Sequence, residues 1–248
     1  MPVQYLRSLT GVERTQRANR HLALALAFIA GSTDAGGYLA VRQYTSHMSG
    51  IVSSMADNLA LGDLGLWLSG FSALLAFLIG AACTAILVNW GRRRNLRSEY
   101  AFPLLLEALL LIFFCLAGAW IKHPKWLFAT ILTLLLCFTM GLQNAIITKI
   151  SRAEIRTTHV TGIVTDIGIE LGKLFYWNRP KAGLDLPAVM ADRQKLRLLL
   201  LLIGLFFFGG LLGALTFRHV GFLFFLPLAA LLLVLTAIPA IDDLRGAH

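Results

Sequence analysis

Six separate stretches of this 248-residue chain are long and apolar enough to cross a bilayer, and that leaves few folds open. A membrane helix needs about 20 mostly apolar residues. The stretches run roughly over 22–41, 65–90, 101–121, 126–148, 196–216 and 219–240. Composition agrees. Hydrophobic residues make up 57% of the chain and charged residues 14%. A soluble domain is about 45–50% apolar and about a quarter charged. The same numbers exclude disorder. Three cysteines, all inside apolar runs, exclude a disulfide scaffold. Trp67, Trp90, Trp120 and Trp126 sit at span ends, where an amphipathic indole is at home, and Trp177 closes a shorter apolar segment.

The formal charge of +9 would suggest nucleic acid on a soluble protein. Here the cations fall in loops, as the positive-inside rule requires. With six spans and a cytoplasmic N-terminus, Arg42, Lys122, Lys125 and Arg218 lie outside, and the rest of the 22 Lys and Arg lie inside. This predicts a multi-pass protein of a bacterial inner (plasma) membrane with both termini cytoplasmic. Its direct partner is the lipid bilayer, with no nucleic acid. Arg14, Arg17 and Arg20 before an apolar run resemble a signal peptide, but a repeat gives the first span a counterpart deep in the chain.

That repeat dominates the rest of the reading. Residues 45–53 read T-S-H-M-S-G-I-V-S and residues 157–165 read T-T-H-V-T-G-I-V-T. Thr45, His47, Gly50, Ile51 and Val52 recur as Thr157, His159, Gly162, Ile163 and Val164, a shift of 112. In the preceding spans Phe28, Gly31, Asp34 and Ala35 correspond to Phe138, Gly141, Asn144 and Ala145 at a shift of 110. Each half reads span, short polar helix, span, span. Three spans is an odd number, so the halves must face opposite ways, as in many transporters. The predicted fold is an all-α polytopic membrane protein. Its six transmembrane helices form two three-helix inverted repeats, each with an additional short polar or re-entrant helix near 45–62 and 157–174. The predicted units are a basic N-terminal arm (1–21), a first membrane repeat (22–121), a second (122–241) and a C-terminal tail (242–248).

Polar residues at membrane depth need a reason. Asp34 stands mid-span beside Gly36 and Gly37, and an intramembrane acid is a candidate functional group by default. Gln143 and Asn144 are its uncharged counterparts in span four; an interhelical hydrogen bond is as good an account of them as a ligand role. On the short helices His47, Gly50, Ser54 and Asn58 fall on one stripe, as do His159, Gly162, Asp166 and Glu170. Ser49 and Thr161 run beside them, and Asp57 adjoins Asn58. The bland account is a polar seam between two short helices; the functional one is a pathway lining. Histidine beside acids can carry protons, and backbone N–H groups at a helix start can bind an anion. The acidic balance of the set favours a cation or neutral solute. Glu107 is an isolated acid in span three. The G-x-x-x-G at Gly209 to Gly213 suits tight helix packing or a dimer face.

Signatures of nucleotide-driven pumps, zinc proteases and serine hydrolases are absent, and no Cys/His pair has zinc spacing. No cofactor is expected, and the reading leans away from an enzyme. Three functions compete. The first is a small secondary transporter or permease moving a small solute or ion between the repeats, with proton coupling through the acids. The second is an intramembrane lipid-modifying enzyme. The third is a non-catalytic membrane assembly partner. A homodimer fits any of them, because six short spans make a small bundle.

The stretch F-I-A-G-S-T-D-A-G-G-Y-L at 28–39, with T-S-H-M-S-G-I-V at 45–52 and N-L-A-L-G at 58–62, resembles the YoaK-like family of bacterial integral membrane proteins. The usual form there looks like G-x-x-D-A followed by M-[ST]-G-N. Here Ile51 stands where the family has Asn. The family is a domain of unknown function, so the resemblance implies an inner-membrane location and no substrate.

Overall fold

The structure is a computed structural model that describes residues 16–94, 96, 98–120, 126–150, 159–178 and 188–244. Most of the N-terminal arm, Thr157 and the last four residues of the tail lie outside the described residues. Among those described, every regular element is helical. We number them α1 (Gln16–Val41), α2 (Met48–Ala60), α3 (Leu64–Arg93), α4 (Ala101–Trp120), α5 (Trp126–Ile150), α6 (Val160–Phe175), α7 (Arg193–Val220) and α8 (Phe225–Leu244).

The short helices expected near 45–62 and 157–174 are present as α2 and α6. Local chemistry explains the boundaries. After α2 the chain turns at Gly62, whose φ of 79° lies in the left-handed region where a side chain is penalised. Asp63 then caps α3, its carboxylate accepting from Leu66 N–H at 3.0 Å. Asp192 caps α7 the same way, accepting from the N–H groups of Gln194 and Lys195 at 2.9 Å each. The Lys195 amide is the main reason the Asp192 carboxyl is held below its ordinary range. A lowered carboxyl stabilises the fold above its unfolded pKa, and that share is lost as pH falls through the folded value. Asp192→Ala is expected to lower the unfolding temperature, because it removes the cap. Asp192→Asn should keep the cap and flatten the acid limb of a thermal-unfolding series in detergent. Equal acid sensitivity in wild type and Asp192→Asn would remove this account.

Five helical stretches are long and apolar enough to cross a membrane: Arg17–Val41, Leu64–Arg93, Ala101–Ala119, Phe128–Ile150 and Arg193–Ala237. The sequence reading had two spans where the last of these stands. The two are one 45-residue helical stretch because a 3-10 turn, Gly221–Phe224, joins α7 to α8 without a loop. Gly221 makes the turn at φ 60°.

α1 packs along α7, α3 along α5, and α4 against α8; α2 rests on α3, and α6 on α7. The central core runs through Leu22, Leu26 and Ile29 of α1, Leu104, Leu111 and Phe114 of α4, Ile146 of α5, and Phe225, Leu228 and Leu232 of α8. α3 and α7 are the peripheral helices. Leu75, Leu78 and Ile86 of α3 and Phe207, Phe208 and Leu215 of α7 are exposed. On a membrane protein that face belongs to lipid.

Glycine lets the two main crossings close. A β-carbon at Gly31 would collide with the carbonyl oxygen of Phe206, and one at Gly209 with that of Phe28. At the other crossing a β-carbon at Gly141 would strike the carbonyl of Phe77, and one at Gly80 that of Phe138. Small residues allow this because helix association in lipid depends on van der Waals contact. Each crossing also carries a close approach one turn on. Thr84 donates to Leu142 O at 2.9 Å, and a Cβ at Gly213 would sit 2.6 Å from Ser32 O. The Gly209 to Gly213 motif therefore packs inside this chain, which accounts for it without a dimer face.

Candidate substrate cavity

α1 ends at Val41 and the chain returns toward its own helix before α2 begins. The Ser46 N–H donates to Asp34 Oδ1 at 3.2 Å, which brings the start of α2 down to the level of Asp34. His47 is the residue before α2, at φ −90° and ψ 67°. His159 precedes α6 at φ −83° and ψ 60°. Neither imidazole caps its helix. The two histidines therefore enter their helices with the same backbone.

Both helix starts open on one cavity of about 530 Å³. From α2 and its approach come His47, Met48 and Ser49; from α6 come His159, Val160 and Thr161. Asp34 of α1 and Asn144 of α5 form another part of the wall, and Phe77 of α3 and Phe206 of α7 a third. Each of these residues has a repeat-related counterpart on the same wall, at a shift of 112, 110 or 129. Tyr44 and Ser46 complete the lining. Asp34 is 7% exposed, and the side-chain oxygen of Asn144 is buried with no hydrogen-bond partner among the described residues.

Of the residues singled out in the sequence, Asp34, His47, Ser49, Asn144, His159 and Thr161 meet here. Gly50 and Gly162 sit in the first turns just behind; a Cβ at Gly50 would collide with the His47 ring. The others lie elsewhere. Gln143 is buried and donates to Leu26 O at 3.4 Å, tying α5 to α1. Asn58 donates to Ser54 at 3.2 Å along the exposed side of α2, and Asp57 is exposed. Asp166 pairs with Lys195 at 3.5 Å. Glu170, 2% exposed, accepts from Lys173 Nζ and from Asp192 N–H, each at 2.8 Å. Asp166 and Glu170 thus pin α6 to the start of α7. Glu107 is buried, has one carboxylate oxygen without a partner among the described residues, and does not border the cavity.

The sequence reading missed Phe77 and Phe206. A signal for them exists. Phe-x-x-Gly occurs at Phe28–Gly31, Phe77–Gly80, Phe138–Gly141 and Phe206–Gly209, in each helix of the two crossings, and α7 repeats the spacing at Phe207–Gly210. In the first four the glycine of one helix takes the carbonyl of the phenylalanine of its partner.

Comparison with known proteins agrees with the motif resemblance. The UPF0700 transmembrane protein YoaK of Bacillus subtilis (strain 168) is 26% identical over 174 residues, covering 68% of this chain and 76% of that protein. No solved structure matches. Residues 22–238 match the family described as protein of unknown function DUF1275. Apolar helices, the YoaK relative and a family match over most of its length together make this chain a multi-pass membrane protein belonging to the DUF1275 family.

Proposed function

We propose that this protein is a small permease whose solute passes through the cavity between two inverted repeats. The observation that carries the reading is the pairing of repeat-related residues on one wall: His47 with His159, Ser49 with Thr161, Asp34 with Asn144, and Phe77 with Phe206. A helix start from each half reaching one cavity is what a midplane site between inverted halves requires. The reciprocal glycine crossings, α1 with α7 and α5 with α3, support the same division, because each half lends its first span to the other half's second.

The reading requires six crossings. The stretch Arg193–Ala237 is 45 residues long, about 68 Å of helix, against a hydrocarbon core of about 30 Å. Two crossings that turn at the 3-10 segment use that length. The six-span layout also places both termini, and most of the cations, on the cytoplasmic side.

The test is access. Single cysteines, Ser49→Cys and Thr161→Cys, are placed in protein lacking Cys83, Cys115 and Cys137. Each is labelled with a membrane-impermeant thiol reagent from either side of oriented vesicles. Both positions are expected to react from both sides, because alternating access opens one cavity to each face in turn. Reaction of both from one face alone would end the permease reading and favour a one-sided site.

A further inference from the structure

The peripheral helix α3 leads into three consecutive arginines, and the turn that follows treats them unequally. Arg92 is engaged: its Nε donates to Glu99 Oε2 at 2.8 Å and its Nη2 to the Tyr100 hydroxyl at 3.4 Å. The turn itself is anchored. Glu99 and Tyr100 are buried, and the Ser98 hydroxyl donates to Pro239 O of α8 at 3.2 Å. Arg93 and Arg94 are exposed, with no carboxylate partner among the described residues. The Arg94 guanidinium lies over the Trp90 ring, 5.9 Å from its centre. Trp90 in turn meets Phe102 of α4 edge to face at 5.5 Å. Away from the arginines the same side of α3 is apolar. Ile79, Ile86 and Arg93 recur at a spacing of seven, and Trp90 follows Ile86 by four, so they share one helix face. Ile79, Ile86 and Trp90 are all exposed. Cations, then an indole, then branched aliphatics is the order in which a phospholipid offers its phosphate, its ester region and its chains.

We propose that this end of α3 binds one anionic phospholipid, its phosphate against Arg93 and Arg94 and an acyl chain along Trp90, Ile86 and Ile79. Orienting the chain in the bilayer needs only charge, wherever the side chains point. Here Glu99 neutralises Arg92, and two guanidiniums remain on a turn tied to α4 and α8. Donors held in place bind at lower entropic cost, and a guanidinium fork matches phosphate oxygens. The ligand is a lipid and not free phosphate, because the apolar stripe continues directly from the cations. In the six-span layout this end of α3 meets the cytoplasmic leaflet, whose surface potential is negative. The site is independent of the permease reading, which thiol access at positions 49 and 161 decides whatever lipid is bound.

Native mass spectrometry of the purified full-length protein tests this, with dioleoyl-phosphatidylglycerol or dioleoyl-phosphatidylcholine added to the detergent micelles. A single phosphatidylglycerol is expected to stay bound at concentrations where phosphatidylcholine does not. Arg93→Gln with Arg94→Gln should weaken that binding about thirtyfold, and Arg93→Gln alone about fivefold. The single variant leaves the Arg94 contact with Trp90 in place, so it reads the site even if the double variant folds poorly. Arg193→Gln with Arg197→Gln, which removes two exposed cations of α7, should leave phosphatidylglycerol binding unchanged. Inorganic phosphate in excess should not displace the lipid. Equal retention of the two lipids would overturn the proposal, as would binding unaffected by Arg93→Gln, an equal loss in the α7 pair, or displacement by inorganic phosphate.

Discussion

Alanine at Gly31 or at Gly141 is expected to lower the unfolding temperature of the purified protein sharply, while alanine at Gly168 or Gly204 leaves it unchanged or raises it. The four substitutions are chemically identical and all fall inside helices. They differ in what the new methyl meets. At Gly31 it meets the Phe206 carbonyl, and at Gly141 the Phe77 carbonyl, with backbone on the opposing side. Backbone cannot rotate aside as a side chain can, so the helices must separate. Overpacking of this kind typically costs about 1–3 kcal/mol and occasionally more. At Gly168 and Gly204 nothing lies within 4 Å of the added carbon. There the greater helix propensity of alanine, about 1 kcal/mol over glycine, stands alone. For a chain of this size each kcal/mol is about 2–4 °C in Tm. Thermal unfolding in one detergent, with all four variants side by side, reads the difference in sign. Four variants of equal stability would mean that the crossings are looser than described here. Gly31→Ala and Gly141→Ala should also cost similar amounts, since their contacts are repeat-related.

Membrane class and helix positions were legible in the sequence because the bilayer imposes a length of apolar chain that counting detects. α2 and α6 were legible for another reason: a nine-residue motif recurs with five identical positions, and in both copies the histidine precedes the helix with the same backbone angles. The join between α7 and α8 was not. Gly221 ends one helix without a run of turn residues, and hydropathy does not distinguish a 3-10 turn from a loop. The candidate site was read in part. Helical stripes grouped His47 with Gly50 and His159 with Gly162, and each glycine lies in the helix turn that follows its histidine. Extending them placed Ser54, Asn58, Asp166 and Glu170 at the site too. A stripe says which residues share a face, but not how far along the helix the cavity reaches. This cavity involves only the first turn, and further along α6 the face turns to the cations Lys173 and Lys195. Phe77 and Phe206 escaped because aromatic residues in an apolar span carry no signal of their own. Only the Phe-x-x-Gly spacing marks them.

Asp34→Ala is expected to loosen the start of α2, whereas Asp34→Asn keeps it. The Ser46 N–H donates to Asp34 Oδ1 at 3.2 Å, and that bond holds the approach to α2 against α1. Asparagine leaves a carbonyl oxygen for the same N–H; alanine removes the acceptor. A buried donor left without its acceptor costs about 1–3 kcal/mol. Thermal unfolding in one detergent should therefore place Asp34→Ala below both the wild type and Asp34→Asn. Equal stability of the two variants would mean that the bond contributes nothing to placing α2.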